Sequence, residues 1–140
     1  LLQEGGLFVV HMIGRMKSSK SLDPFISKYI FPGGHLQSLK QITQAAEQSR
    51  FRVLDVQDIG PDYDPTLMAW NNNFNNAWPK LEEEYGTRNN KMFKRMFNYY
   101  LLSCAGAFRV TQPNCNSLKN QVFQIVLSKG GYPGRYYSFR

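Results

Sequence analysis

Apolar and polar positions alternate along the chain in a way that separates strands from helices. Residues 7–13, LFVVHMI, form a nearly continuous apolar run bounded by glycines, which predicts a strand buried on both faces of a parallel sheet. Residues 51–59 have a strand-like apolar core, and Gly60-Pro61 closes this second strand. The run QVFQIVLSKG, which begins at Gln121, predicts a third buried strand.

The segments between these runs have the residue spacing of helices. A short helical piece is predicted over residues 25–30, between two prolines. The next helix should begin after Ser38, because Ser38 and Gln41 form a capping-box pattern, and it should end near Ser49. Asp64-Pro65 predicts the N-cap and first turn of a longer helix, whose apolar stripe is expected to be core and consists of Leu67, Trp70, Phe74 and Trp78.

A second long helix is predicted over about residues 90–108, with an apolar face made of Met92, Phe93, Met96, Phe97, Tyr100 and Leu101. The element order indicates an α/β fold with a helical insertion before the last strand. Three strands are fewer than the typical five or six of a doubly wound sheet, so the sheet is expected to be incomplete. Because no G-x-G-x-x-G or Walker-type loop occurs, no cofactor-binding residue is assigned in this chain.

The composition and net charge indicate which kinds of partner and which cellular compartment to expect. The 140 residues are 42% hydrophobic and 14% aromatic, enough for a packed core, and the formal net charge is +7. A positive charge favours anionic partners such as nucleic acid, anionic lipid headgroups or a phosphorylated substrate. The longest apolar stretches are well short of the roughly 20 residues of a membrane span. Cys104 and Cys115 lack zinc-ligand spacing, which predicts no metal site and reduced thiols in the cytoplasm.

One histidine interrupts the first apolar run. His11 lies near the carboxyl end of the predicted strand, on the same face as Val9 and Ile13, and ligands bind at that edge of parallel α/β sheets. Tyr63 follows the second strand and should project from the same edge, so an imidazole and a phenol are expected to converge. Two purely structural interpretations stay open from position alone: a core histidine bonded to a backbone carbonyl, and a tyrosine that only packs.

Five segments in register resemble one enzyme family. The segments HMIG, DPFISKYIFPGGHLQSL, DYDPTLMAW, KRMFNYYLLSCAGAFR and QVFQIVLSKG are similar to the C-terminal half of cyclopropane-fatty-acyl-phospholipid synthases, whose relatives modify mycolic acids. The resemblance implies that residues 1–140 are the C-terminal part of one Rossmann-like S-adenosylmethionine-dependent methyltransferase domain, with a helical insertion over about residues 62–110. The N-terminal cofactor-binding part would be absent, and the isolated chain is expected to be inactive.

The resemblance also implies a chemistry for the two polar residues. Methyl transfer to the cis double bond of a phospholipid acyl chain leaves a carbocation, and the new methyl group must lose a proton for the ring to close. In the family a bound bicarbonate is the base. The matching bicarbonate ligands here are His11, the backbone of Ile13 and Tyr63, of which His11 and Tyr63 are the implied catalytic residues. An imidazole, a peptide N–H and a phenol all donate hydrogen bonds to an anion.

The same resemblance makes the helical insertion part of an acyl-chain tunnel. Aromatic stripes at helical spacing are also typical of ordinary core, and that alternative stays open. The candidates for the tunnel lining are Trp70, Phe74, Phe97, Tyr100 and Cys104.

The expected partners are phospholipid acyl chains at a membrane surface, without nucleic acid, and the enzyme is expected in the cytoplasm, peripheral to the inner face of the membrane. An uncapped sheet edge predicts self-association as a homo-oligomer or a strand-exchanged dimer. The alternative is a non-catalytic basic module that binds anionic lipid or nucleic acid through Arg88, Lys91, Lys94 and Arg95.

Overall fold

A mixed β-sheet organises the protein in the computed structural model, which describes residues 2–18, 22–86, 90–109 and 120–138. Within these ranges the strands are β1 (Leu7–Arg15), β2 (Gln37–Ser38), β3 (Phe51–Asp58) and β4 (Gln121–Lys129), in the spatial order β2-β1-β4-β3. The strands predicted from the apolar runs are confirmed, and the α/β class with them. The short β2 was not predicted.

The last strand departs from the parallel arrangement expected of the sheet. Strands β1 and β2 are parallel, but β4 pairs antiparallel with both β1 and β3. Two long helices, α2 (Tyr63–Tyr85) and α3 (Asn90–Arg109), connect β3 to β4. They run antiparallel, because Asp64 contacts Arg109 near one end of the pair and Trp78 contacts Phe93 near the other. The end of this helical hairpin lies at the same edge of the sheet as its start. Strand β4 therefore runs between β1 and β3 in the opposite direction to both.

Burial differs sharply between the first and last strands. In β4 the predicted burial on both faces is confirmed, since Val122, Phe123 and Ile125 are at most 2% exposed. In β1 that prediction is wrong: Phe8 is 50% and Val9 58% exposed. The reason is position, because β4 is central whereas β1 pairs with β2 only at its last two residues. The predicted self-association through this open edge stays a prediction.

Two apolar clusters cover opposite faces of the sheet and meet at β4. Helix α1 (Leu39–Gln48) packs over a cluster formed by Ala46, Phe123, Ile125 and Leu127. The helical hairpin packs over the other face, in a cluster formed by Leu67, Leu101, Ala105, Phe108 and Val122. Because successive residues of a strand point to opposite faces, β4 supplies side chains to both clusters.

The predicted helix signals are mostly confirmed. Ser38 caps α1 with the full capping box to Gln41, and the helix ends before Ser49. The short helical piece is a π-helical turn, Ile26–Ile30. The predicted N-cap at Asp64 is wrong, because a 3-10 turn at Gly60–Asp62 leads directly into α2 and Asp64 already lies in the first helical turn.

Some predicted core positions are exposed. In α2 the side chains of Leu67 and Trp78 are buried, but Trp70 is 49% exposed. In α3 Met92 is 67% and Phe93 47% exposed. Helical spacing defines an apolar face but not which part of it meets a neighbour, and the hairpin buries only the part that faces α2, α3 or the sheet. Arg88, Cys115 and most of the Asn-rich loop at residues 111–120 lie outside the described residues.

Candidate active site

His11 and Tyr63 meet above the sheet, as expected, although His11 lies in the middle of β1 and not near its carboxyl end, because the strand continues to Arg15. The Nε2 atom of His11 lies 2.9 Å from the Oη atom of Tyr63. Their strands β1 and β3 are separated by β4, a gap of about 9 to 10 Å at the usual strand spacing. The long Tyr63 side chain, at the start of α2, crosses this gap, and its ring packs against Phe108 with 5.3 Å between ring centroids. Their contact therefore needs the sheet and the hairpin together.

A third polar side chain, that of Gln124, contacts His11 from β4, the strand between β1 and β3. Gln124 of β4 is the direct cross-strand partner of His11, and its Nε2 atom lies 3.3 Å from Nδ1 of His11. Both ring nitrogens of His11 thus have a polar neighbour. Sequence reasoning missed Gln124, although a glutamine inside an apolar strand was a visible signal, because the register between β1 and β4 was unknown.

Asp58, at the end of β3, holds the turn that leads to Tyr63. Its Oδ1 atom accepts hydrogen bonds from the backbone N–H of Gly60 at 2.8 Å and of Val122 at 3.3 Å. Its Oδ2 atom accepts one from Gln121 Nε2 at 2.6 Å. Gly60 is buried against this carboxylate, and an added Cβ would come within 2.9 Å of Oδ1. The turn before Tyr63 is therefore tied to β4.

A bidentate ion pair closes the hairpin beside Tyr63. Arg109 donates from Nε and Nη2 to the two carboxylate oxygens of Asp64, at 2.6 and 2.8 Å. The hydrogen bond from Arg109 lowers the pKa of Asp64, and the same contact raises the pKa of Arg109. Asp64, predicted as a helix cap, instead joins the start of α2 to the end of α3.

A cavity of about 450 Å³ begins next to the histidine–tyrosine pair. Ile13 and Tyr63 line it, whereas His11 is not among its lining residues. Of the predicted tunnel residues Trp70, Tyr100 and Cys104 also line the cavity, whereas Phe74 and Phe97 do not. These two phenylalanines pack against each other between α2 and α3, with ring centroids 4.7 Å apart. The remaining lining residues are Arg15, Leu22, Asp23, Ile26, Phe31, Gly34, His35, Leu36, Leu67, Phe108 and Asn120.

Two titratable side chains of the cavity wall, Tyr100 and Cys104, have raised pKa values. Burial, followed by the charge of Asp23, raises the pKa of the Cys104 thiol. Burial, followed by Cys104, raises the pKa of Tyr100. The thiolate is the reactive form of cysteine, and a raised pKa disfavours it. Cys104 therefore suits an apolar wall better than the role of a nucleophile.

Among the described residues, no cluster of three or more histidine, cysteine, aspartate or glutamate side chains is arranged to hold a metal ion. In the same part of the chain no helix is long and apolar enough to cross a membrane.

Comparison with known proteins identifies the family. The sequence profile of the mycolic acid cyclopropane synthetase family matches residues 1–118. The chain is 45% identical over 129 residues to the cyclopropane-fatty-acyl-phospholipid synthase of Escherichia coli K12, covering 92% of this chain and 31% of that enzyme. It is 30% identical over 134 residues to the sphingolipid C9-methyltransferase of Komagataella phaffii, covering 92% of this chain and 25% of that enzyme. The chain belongs to the mycolic acid cyclopropane synthetase family, which confirms the resemblance seen in the sequence.

Solved structures agree on the fold. The cyclopropane synthase MmaA2 of Mycobacterium tuberculosis superimposes with a TM-score of 0.69 at 22% identity, over 91% of this chain and 46% of that one. The mycolic acid cyclopropane synthase CmaA1, solved in complex with SAH and CTAB, gives a TM-score of 0.66 at 24% identity, over 89% of this chain and 44% of that one. The chain thus spans less than half the length of these relatives and about a third of the Escherichia coli enzyme.

Proposed function

We propose that residues 1–140 form the C-terminal part of a longer S-adenosylmethionine-dependent cyclopropane-fatty-acyl-phospholipid synthase. The whole enzyme transfers a methylene group to the cis double bond of an unsaturated phospholipid acyl chain. The contact of His11 with Tyr63, which lines a mostly apolar cavity, carries this proposal, because it holds a hydrogen-bonding phenol beside a space suited to an alkyl chain. The cofactor supplies the methyl group when bound, and the N-terminal part absent from this chain would hold it.

The two polar side chains fit a small anion. The ring N–H of a neutral imidazole can donate to the Tyr63 oxygen, which leaves the phenol O–H free to donate to an anion, and Ile13 lines the same cavity as Tyr63. Bicarbonate bound there would be the base that accepts the proton lost on ring closure. Tyr63 and the backbone of Ile13 would hold that anion, and His11 would orient the Tyr63 hydroxyl through their hydrogen bond. Donors fixed in advance stabilise charge without having to reorganise.

The acyl chain occupies the cavity in this proposal. Trp70, Tyr100 and Cys104 form part of its wall, and the neutral forms of the phenol and the thiol suit contact with methylene groups. Phe74 and Phe97 support the wall from behind by packing α2 against α3. The reacting double bond then lies where the cavity meets Tyr63.

Product analysis with the full-length protein tests the reaction. With S-adenosylmethionine and vesicles of a cis-monounsaturated phospholipid, the acyl chains should gain the mass of one methylene unit and lose their alkenyl proton signals. The same vesicles made from saturated phospholipid are the control and should gain nothing. A methylated product that keeps its double bond, or no transfer to lipid at all, would contradict the proposed function.

An open groove supports contact with a lipid surface. It encloses about 810 Å³ between the π-helical turn and α3, and Lys94 and Arg95 lie among its apolar lining residues. Tyr29 is 52%, Met92 67% and Tyr99 56% exposed on the same groove. Apolar side chains flanked by cations suit the interface of an anionic membrane, where the rings and the methionine enter the headgroup layer.

The full-length protein should therefore bind vesicles of anionic phospholipid at low salt and leave them as the salt concentration rises. Replacing Lys94 and Arg95, the two cations that line the groove, by Ser should weaken binding by about 2 kcal/mol, or roughly thirtyfold. The matched control replaces Lys40 and Arg50, which are exposed on and just after α1 on the other side of the sheet, and should bind like the wild type. Equal sedimentation with neutral and anionic vesicles would contradict this docking surface.

A further inference from the structure

We propose that Gln124 selects the tautomer of His11 and thereby makes Tyr63 a hydrogen-bond donor to the anion. The part of this inference that concerns the anion rests on the proposed function. The part that concerns the tautomer rests on the geometry of three side chains alone. Gln124 is a positioning residue in this scheme, because it acts through His11 and not on the substrate.

The sheet fixes Gln124 beside His11. The two residues are direct cross-strand partners in the antiparallel pair of β1 and β4, so their side chains stand on the same face. The central strand β4 is held on both sides, and Gln57 of β3 is the partner of Gln124 on its other side. The amide nitrogen of Gln124 lies 3.3 Å from Nδ1 of His11, and the phenol oxygen of Tyr63 lies 2.9 Å from Nε2.

These contacts choose one neutral form of the ring. The NH₂ group of a glutamine side chain only donates, so Nδ1 of His11 must accept and carries no proton. The proton of the neutral imidazole is then on Nε2, and Nε2–H donates to the Tyr63 oxygen. The hydroxyl proton of Tyr63 is left to donate elsewhere, and Tyr63 lines the cavity together with Ile13.

The opposite tautomer would reverse this arrangement. With the proton on Nδ1, the bare Nε2 atom would accept the hydroxyl proton of Tyr63. The phenol would then offer only oxygen lone pairs to the cavity, and an anion needs donors. A single amide on the middle strand therefore decides whether this pair binds an anion or repels one.

Nitrogen-15 NMR of the full-length protein with labelled histidine tests the tautomer directly, at a pH where the ring is neutral. Loss of a signal in a His11→Gln variant assigns His11. We expect a pyridine-type signal from Nδ1 and a protonated, pyrrole-type signal from Nε2. A pyrrole-type Nδ1 in the wild type would overturn the proposal, because it means that the Gln124 oxygen and not its NH₂ group faces the ring.

Two variants at position 124 give a second test. Gln124→Glu puts an acceptor opposite Nδ1 and should remove the pyridine-type signal from that atom. Gln124→Met has no donor, so the selection should be lost and the averaged Nδ1 signal should move from the pyridine-type value toward the pyrrole-type value. The control Gln57→Glu adds the same charge on the same rung of the sheet and should leave both signals in place. A Nδ1 signal that is unchanged in Gln124→Glu or Gln124→Met would overturn the proposal.

The consequence for the anion is measured separately. In Gln124→Glu the apparent affinity for bicarbonate should fall roughly tenfold to a hundredfold, the usual loss for a hydrogen bond to a charged group, while Gln57→Glu should change it much less. A reversed tautomer with unchanged bicarbonate affinity would overturn the role assigned to Tyr63. A wild-type protein that shows the expected nitrogen signals and forms no cyclopropane product would contradict the proposed function and leave the tautomer assignment standing.

Discussion

Replacing Tyr63 by Phe in the full-length protein should lower the rate of ring formation about a hundredfold to a thousandfold and leave the affinity for S-adenosylmethionine unchanged. The substitution removes one donor from a site where charge is held, and such a loss costs about 2.7 to 4 kcal/mol of transition-state stabilisation. The fold should persist, because the ring of Tyr63 still packs against Phe108. Single-turnover rates and cofactor titration separate the two effects.

The controls for this prediction come from the same helix and the same site. Tyr85→Phe removes a hydroxyl at the far end of α2, where the side chain is 65% exposed, and should keep full activity. His11→Gln retains some hydrogen-bonding capacity and should lose less activity than His11→Ala. Added bicarbonate should partly restore a variant whose affinity for the anion has fallen, by mass action. A Tyr63→Phe enzyme with full activity at low bicarbonate would return both residues to a packing role.

Leu101→Ala should destabilise the fold by about 2 to 5 kcal/mol, the usual range for truncating a buried leucine. Leu101 is 2% exposed and belongs to the cluster under the helical hairpin, against which Tyr63 also packs. The loss combines removed apolar contact with the cavity left behind. A shift of the denaturation midpoint and a drop in activity should appear together, because the same cluster supports the start of α2.

The neighbouring residue on α3 provides the control. Leu102 is 46% exposed, so Leu102→Ala removes the same atoms from a site already in contact with water and should change the free energy of unfolding by about 0.5 kcal/mol or less. Denaturant titration of both variants measures the difference. Equal losses would mean that α3 is rotated from the orientation described above.

Local patterns in the sequence were enough to locate most elements. The Ser38–Gln41 capping box, the apolar runs of β1, β3 and β4, and the helical spacing of α2 and α3 depend on residues near one another in the chain, so their meaning is readable without the fold. The predicted strand order was also enough to expect that His11 and Tyr63 converge, although β1 continues past His11 to Arg15. The family followed from motifs in register, since each motif combines several such local constraints.

Features that depend on contacts between residues far apart in the chain could not be predicted from the sequence. The neighbours of β1, the exposure of Trp70 and Met92, and the contact between Asp64 and Arg109 follow from how the hairpin lies on the sheet. Gln124 gained its partner through a strand register between residues more than a hundred positions apart. An apolar or polar pattern states which side of an element is buried, but the partner that buries it is chosen by long-range packing. The two polar residues of the site were therefore visible in the sequence, whereas the amide that orients one of them emerged only when β4 was placed between their strands.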